Sequence, residues 1–420
     1  MAHKFSGYLC SVCGADYAPQ EVEYVCPKDG GNLHVLLDYD SLRKLDLAAG
    51  ITSSADFSMW RYLPLLPIAD PGYNATPLRS VGWTPVYRSA SLEKQLALRH
   101  LWIKDESRNP TASFKDRASA VVVARAQEIA ARVVVTASTG NAGAALAGMA
   151  AAVGQRAVIL APQSAPPAKI AQLLVYGAQV ILVDGNYDQA FDLSIQAAQD
   201  FGWYCRNTGY NPFTLEGKKT AAFEIWEQVL LPFQDLFPRP LAVFVSVGDG
   251  NIISGIHQGF LDLQRLGWLE TIPRLFGVQA AGSCAVANAW QAKTETIQPV
   301  AAKTLADSIS VDLPRDGARA VRAMNQTGGA CLVVEDAEIL SAVASLGRVG
   351  IFAEPAGAAA LAGLVKALDQ GLVGCEDPVL VLNTGAGLKD TRAAMMAVRQ
   401  APVIEPALPA LKRYLASHPE

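Results

Sequence analysis

The chain has 420 residues, of which 51% are hydrophobic and only 18% charged, a size that accommodates roughly two or three domains with a large buried core. A net charge of −4 and no basic run exclude a nucleic-acid or anionic-membrane footprint, and the most apolar stretches, such as 144–153, are Ala/Gly-rich, so no spanning helix is expected. Seven cysteines, an odd number, and an N-terminus without an apolar leader core point to a reducing cytoplasm rather than a disulfide framework.

Residues 1–36 differ from the rest. They carry Cys10-x2-Cys13 and then Cys26, with Gly-rich turns at 14 and 30–31. Such a stretch is too small for a core of its own and reads as an appended ribbon. Beyond it, short β-branched runs alternate with helical patterns. Strands are expected at 100–105, 132–138, 156–162, 178–184, 241–247, 274–280 and 378–384. Helices are expected at 114–130, 141–153, 187–200 and 215–230. This alternation argues for an α/β fold whose parallel sheets are covered on both faces.

In "NPTASFKDR" (109–117), Ser113 and Asp116 have the spacing of a capping box. Lys115 then sits in the first turn of a helix, where the dipole and any burial both favour the neutral amine. A lysine of lowered pKa is the nucleophile that forms Schiff bases. The plain alternative is a solvent-facing lysine paired with Asp116.

Three further turns follow strands. "STGNAG" (138–143) sets Ser138, Thr139 and Asn141, with Ala142 and Gly143, before an Ala-rich helix, and can hold a carboxylate. "GDGN" (248–251) brings small residues to a helix start, an arrangement that binds anions. It lacks the third glycine of the dinucleotide fingerprint at the required spacing, and Asp249 must turn its carboxylate away from a bound phosphate. An N-cap and an ordinary βα turn are the plain readings of these two segments. "NTGAGLKD" (383–390) has the same form, with Thr384 ending a strand.

Together these stretches resemble the fold-type II, tryptophan-synthase-β-like pyridoxal-phosphate enzymes, and among them the threonine synthases. The lysine motif of that family is matched by Asn109–Arg117, with Ala112 where glycine is usual. "STGNAG", "LEGKKT" (215–220), "GDGN", "AEPAGAAA" (353–360) and "TGAGLKD" (384–390) follow in family order. The GGGGL phosphate loop and SGGN-like turn typical of the related dehydratases are absent.

The resemblance implies two three-layer α/β domains with mainly parallel sheets: a cofactor domain (37–115 and 221–420) and a smaller substrate-closing domain (116–220). It implies that Lys115 carries pyridoxal 5′-phosphate and then moves substrate protons. Phe114 would pack near the cofactor, and Gly248, Asp249, Gly250 and Asn251 would bind its phosphate. Asn141 would bond the pyridine 3′-oxygen, and Thr384 would meet the ring nitrogen with a hydroxyl. Ser138, Thr139, Asn141, Ala142 and Gly143 would hold the amino-acid carboxylate. A homodimer is implied as well.

Two departures stand out. Where many threonine synthases place an arginine that grips the substrate phosphate, this chain has Thr214, with Lys218, Lys219 or Lys169 as candidate substitutes. Many members also carry a four-cysteine zinc ribbon, and here Asp29 takes the place of the fourth cysteine beside Cys10, Cys13 and Cys26. Three cysteines with that oxygen, or with His3 or His34, make a structural zinc set; a metal-free ribbon held by packing is the other reading.

The first functional expectation is conversion of O-phosphohomoserine and water to threonine and phosphate. Replacement on phosphoserine (a cysteate-synthase-like activity) and threonine/serine dehydration keep the chemistry and change the substrate. A silent paralogue that binds cofactor or amino acid and regulates is the non-enzymatic alternative.

Overall fold

The computed structural model describes residues 5–163, 165, 167–233, 235 and 237–418; His3 lies outside them. The N-terminal segment forms an antiparallel ribbon in the order β2-β1-β3, from β1 (Phe5–Cys10), β2 (Asp16–Tyr17) and β3 (Leu33–Leu37). It has no separate core. Tyr8, Cys10, Leu33 and Val35 belong to the same buried cluster as Phe213, Phe223 and Phe260 of the main body.

The chain then lays down β4 (Val86–Arg88) and β5 (Leu101–Asp105) before leaving for a second sheet. That sheet contains β6 (Val133–Ala137), β7 (Arg156–Pro162), β8 (Gln179–Val183) and β9 (Tyr204–Cys205), in the order β8-β7-β6-β9, all parallel. The chain returns for β10 (Ala242–Ser246), β11 (Arg274–Ala280), β12 (Cys331–Val334) and β13 (Val379–Asn383). The larger sheet runs β12-β11-β10-β13-β5-β4, parallel except for the antiparallel edge strand β4. Its central strands β5, β10 and β13 are buried at every position, as mainly apolar strands covered on both faces should be.

All seven expected strands are present to within one residue at each end. Strands β4, β9 and β12 and those of the ribbon were not expected; β12 is the four-residue run CLVV. The helix expected at 215–230 begins earlier, at Phe213, and continues beyond Ile225 as a π turn, Trp226–Leu230.

Five helices position the site: α1 (Lys115–Glu128), α2 (Asn141–Ala151), α3 (Phe213–Ile225), α4 (Asn251–Arg265) and α5 (Pro355–Asp369). Helix α3 is buried along its whole length, with α1 and α4 packed against it. Gly217 permits that approach, since a Cβ there would lie 2.0 Å from the Arg117 carbonyl oxygen.

A buried charge cluster fixes the same junction. Arg117 on α1 donates to Glu106 at 2.7 Å and to Glu224 on α3 at 2.5 Å, and Lys104 on β5 reaches Glu224 at 2.7 Å. Glu224 also accepts the backbone N–H groups of Trp83 and Thr84. Burial alone would raise its pKa, but Arg117 and Lys104 outweigh burial and bring it down to about 2. With two acids and two bases the cluster is balanced, and removing one member strands the others in a low dielectric. Glu224→Gln should therefore cost about 3–5 kcal/mol in urea unfolding. Glu376→Gln, which breaks the exposed pair with Arg99, should change stability by less than about 1 kcal/mol; equal effects of the two substitutions would refute the cluster's role.

Candidate active site

Lys115 opens α1, but the expected capping box is not there. The N-cap residue is Phe114, in helical conformation with no side-chain cap bond. Ser113 Oγ is buried with no hydrogen-bond partner among the described residues. Asp116 instead accepts the Thr111 backbone N–H at 2.6 Å and the Thr111 hydroxyl. The left-handed backbone of Ala112 (φ +64°) turns Thr111 back over Asp116 and so takes the carboxylate out of capping range. The same bond removes Asp116 as a partner for Lys115, which has no hydrogen bond or ion pair among the described residues. Burial pushes the Lys115 amine down to about 8. Asp249 and Glu354 pull the other way, and Arg206 reinforces the depression. The amine is held in place from behind: Phe114 N–H donates to the Thr384 carbonyl at 2.9 Å, and Ser113 bridges to Gly385.

Lys115 faces a cleft shared by Phe114, Asn141, Ser246, Thr384 and the 248–251 turn. All lie just beyond the C-terminal ends of parallel strands or at helix starts, the usual position for ligands in open α/β sheets. The turn works as a cradle because of its glycines. Gly250 is left-handed (φ +89°), a Cβ on it would lie 2.6 Å from the Asp316 carbonyl oxygen, and one on Gly248 would lie 2.9 Å from Ile309 Cα. The free N–H groups of α4's first turn open on this cleft. Ser246 Oγ, in the cleft wall, is buried without a partner. A glycine cradle, an orphaned hydroxyl and an unpaired amine fit a phosphate-bearing aldehyde such as pyridoxal phosphate. Asp249 accepts the Arg315 backbone N–H at 3.2 Å. It nevertheless borders the cleft, so its expected turning away is incomplete; burial raises its pKa, and Lys115 and Lys218 oppose that rise.

Beside the cleft lies a cavity of ≈ 380 Å³ lined by Lys115, Ser138, Thr139, Asn141, Ala142 and Arg206, among others. Gly143 closes its turn, where a Cβ would sit 2.2 Å from the Ser138 carbonyl oxygen. Asn141 borders both spaces and donates to Glu354 Oε1 at 2.6 Å and to Ser308 Oγ at 3.3 Å, joining α2 to the start of α5. Lys169 lies at the rim, paired with Asp307.

Two expected substrate residues are elsewhere. Thr214 is fully buried in α3 and its hydroxyl donates back to the Asn211 carbonyl at 2.7 Å. Lys218 is buried against the cradle, donating to Asn251 Oδ1, and does not line the cavity. Lys219 is committed to Glu216 at 2.5 Å and Asp262 at 2.9 Å. In each case the face of α3 decides the outcome: the helix is enclosed on every side, so its side chains meet α1, α4 or their own backbone. The residues missed were Arg206, directly after the unexpected strand β9, and Glu354, which lies inside the quoted AEPAGAAA stretch. Burial raises the Glu354 carboxyl to about 7 against the pull of Lys389 and the bond from Asn141.

Cys10, Cys13, Cys26 and Asp29 do converge, with one ligand atom from each lying within 4.8 Å of the others. The backbone N–H groups of Val12 and Cys13 point at Cys10 Sγ, at 3.4 and 3.5 Å. Three sulfurs and a carboxylate oxygen suit a tetrahedral zinc ion. His34 is not part of this cluster; its Nδ1 is buried and unpartnered, and desolvation depresses its pKa to about 3.

Among the described residues no helix is long and apolar enough to cross a membrane. The family model for pyridoxal-phosphate dependent enzymes matches residues 78–385. The threonine synthase of Methanocaldococcus jannaschii is 37% identical over 97% of this chain and 98% of its own length, and that of Methanosarcina acetivorans is 35% identical over 96% and 97%. The fold resembles that of diaminopropionate ammonia lyase from Escherichia coli, with a TM-score of 0.65 at 20% identity over 83% of this chain and 92% of that one. A lysine isolated beside a glycine cradle is what the matching family needs at its centre, and the chain belongs to the pyridoxal-phosphate dependent enzymes, within the threonine synthases.

Proposed function

We propose that the protein converts O-phosphohomoserine and water to threonine and inorganic phosphate. The observation that carries this reading is the unpaired, half-buried Lys115 amine, its pKa lowered by desolvation, between the glycine cradle and a cavity large enough for a small amino acid. Identity with threonine synthases along almost the whole chain supports it.

Bound pyridoxal phosphate supplies an electron sink for negative charge developing at the substrate α-carbon. The 248–251 amides and Ser246 would hold its phosphate, with Lys218 nearby. Thr384, a hydroxyl rather than an acid, would face its ring nitrogen, and Asn141 its 3′-oxygen. Lys115 Nζ is then the group placed to take a proton from Cα and one from Cβ and to return protons to Cα and Cγ. The Ser138–Gly143 turn, at the start of α2, would orient the substrate carboxylate. Overall the Cγ–O bond to phosphate breaks, Cγ gains a proton, Cβ loses a proton and gains hydroxide from water, and the water's other proton goes to the departing phosphate, so the atoms balance.

Closure is assigned to the four-stranded sheet. The expected boundaries at 115/116 and 220/221 cut through α1 and α3, both of which are locked into the main core, so the moving unit lies between those helices. Withholding water until the phosphate has left is the purpose of such closure. A cytoplasmic homodimer is proposed as well: Leu388, Met395, Met396 and Val403 are exposed apolar side chains that a second copy would cover. At the ribbon, structural zinc is proposed on Cys10, Cys13, Cys26 and Asp29.

Holoenzyme given O-phosphohomoserine should release phosphate and threonine in equal amounts, and Lys115→Ala should reduce the rate by about 10³-fold or more. Full cofactor content without turnover would redirect the assignment to phosphoserine replacement or dehydration. Capture of pyridoxal phosphate by apoprotein should accelerate about tenfold per pH unit below about 8 and level off above it, because only the neutral amine attacks. A rate still climbing at pH 9.5 would show an unperturbed lysine. Elemental analysis should find one zinc per chain, lost together with a lowered Tm in Cys26→Ser; metal-free protein of full stability would leave the ribbon held by packing alone.

A further inference from the structure

Among the described residues four arginines are buried, and three have a carboxylate: Arg61 pairs with Glu227 at 2.6 Å, Arg117 with Glu106 and Glu224, and Arg319 with Asp316. Arg206 is the exception. Its side chain is wholly buried, yet it makes no ion pair among the described residues. Nε donates to Ser119 Oγ at 3.2 Å and Nη1 to Thr208 Oγ1 at 2.7 Å, while Nη2 meets no acceptor at all. A buried guanidinium without a counter-charge is unfavourable unless an anion arrives to complete it. Burial lowers its pKa only to about 10, so it stays cationic at neutral pH.

Arg206 and Thr208 line the same cavity as Lys115. The carboxylates bordering that cavity are engaged elsewhere. Asp188 pairs with Arg315 at 3.3 Å, Asp307 with Lys169, Asp249 accepts the Arg315 N–H, and Asp312 accepts the Ala302 N–H at 2.7 Å. The Arg206 guanidinium therefore borders the cavity without a counter-charge among the described residues. Because the Thr208 hydroxyl already accepts from Nη1, its own proton is free to be donated onward.

We propose that Arg206, with the Thr208 hydroxyl, grips the phosphate group of the substrate and sets the preference for a phosphorylated amino acid. The inference rests on the reading that the cavity takes such a substrate, whose carboxylate goes to the Ser138–Gly143 turn. A guanidinium suits the task because its fork meets two phosphate oxygens at once.

The test uses holoenzyme titrated with inorganic phosphate, O-phosphohomoserine and L-homoserine, followed by calorimetry and cofactor absorbance. Arg206→Gln should weaken phosphate binding by about 10- to 100-fold. It should raise KM for O-phosphohomoserine by a similar factor, with a smaller change in kcat and no change in L-homoserine affinity. Arg206→Lys should recover part of the loss, and Thr208→Val should lose a smaller part. Wild-type phosphate affinity in folded, cofactor-loaded Arg206→Gln overturns the proposal, as does an equal loss for L-homoserine, which would place the carboxylate there. Should Arg206→Gln fail to fold, unchanged phosphate affinity in both Arg206→Lys and Thr208→Val overturns it. Phosphate binding that depends on Arg206, in an enzyme that does not turn over O-phosphohomoserine, would leave the grip standing and remove the substrate assignment.

Discussion

An amine in a desolvated site without an acidic partner keeps a lowered pKa only if the carboxylates around it are already engaged, and the Lys115 segment meets that condition residue by residue. Asp116, next in the chain, is tied to both hydrogen-bonding groups of Thr111. Asp249 accepts the Arg315 backbone N–H. Glu354 is engaged by Asn141. With those acids engaged, desolvation dominates the amine. The buried charge cluster, by joining α1 to α3, fixes the helix start that carries Lys115.

Further basic groups lie outward from that point. Lys218 is fully buried; burial, then Lys115 and Arg206, press its pKa well down. Arg206 keeps its charge while the two lysines are pressed toward the neutral amine, and Asp188, Asp249, Asp307 and Asp312 border the same cavity. A phosphorylated cofactor in the 248–251 cradle and a phosphorylated substrate near Arg206 would each supply a counter-charge that these basic groups lack.

The strand–helix alternation was legible because parallel strands buried on both faces are continuous apolar runs, a pattern that survives without knowledge of their neighbours. The glycine cradle and the Lys115 helix start were legible because each is local in sequence. What failed was whatever depended on tertiary direction. Ser113 and Asp116 have capping-box spacing, but the φ +64° turn at Ala112 brings Thr111 to the carboxylate first. Thr214 and Lys218 lie one turn apart on a helix that looks amphipathic to no one partner, and enclosure by α1 and α4 rather than spacing decides where they point. Arg206 was invisible for a different reason: its significance is the absence of a partner, which no sequence pattern encodes.

The N-terminal ribbon acquires a role from the same geometry. Tyr24 Oη accepts the Cys205 backbone N–H at 3.0 Å, and Asn32 Nδ2 donates to the Gly209 carbonyl at 2.6 Å. These two bonds bracket Arg206 and Thr208 from behind. A second line runs from the Leu33 carbonyl to Arg319, on to Asp316, to Asn251, and so to Lys218 at the cradle. The ribbon therefore backs both places where phosphate is proposed to bind. A segment too small for its own core can fix those positions only if its own loops are rigid. Cys10, Cys13, Cys26 and Asp29 close the loops between its strands, at the end of the ribbon where Tyr24 and Asn32 project. Holding the loops there, by metal or by packing, is how a distant cysteine cluster would bear on the placement of a guanidinium in the cavity.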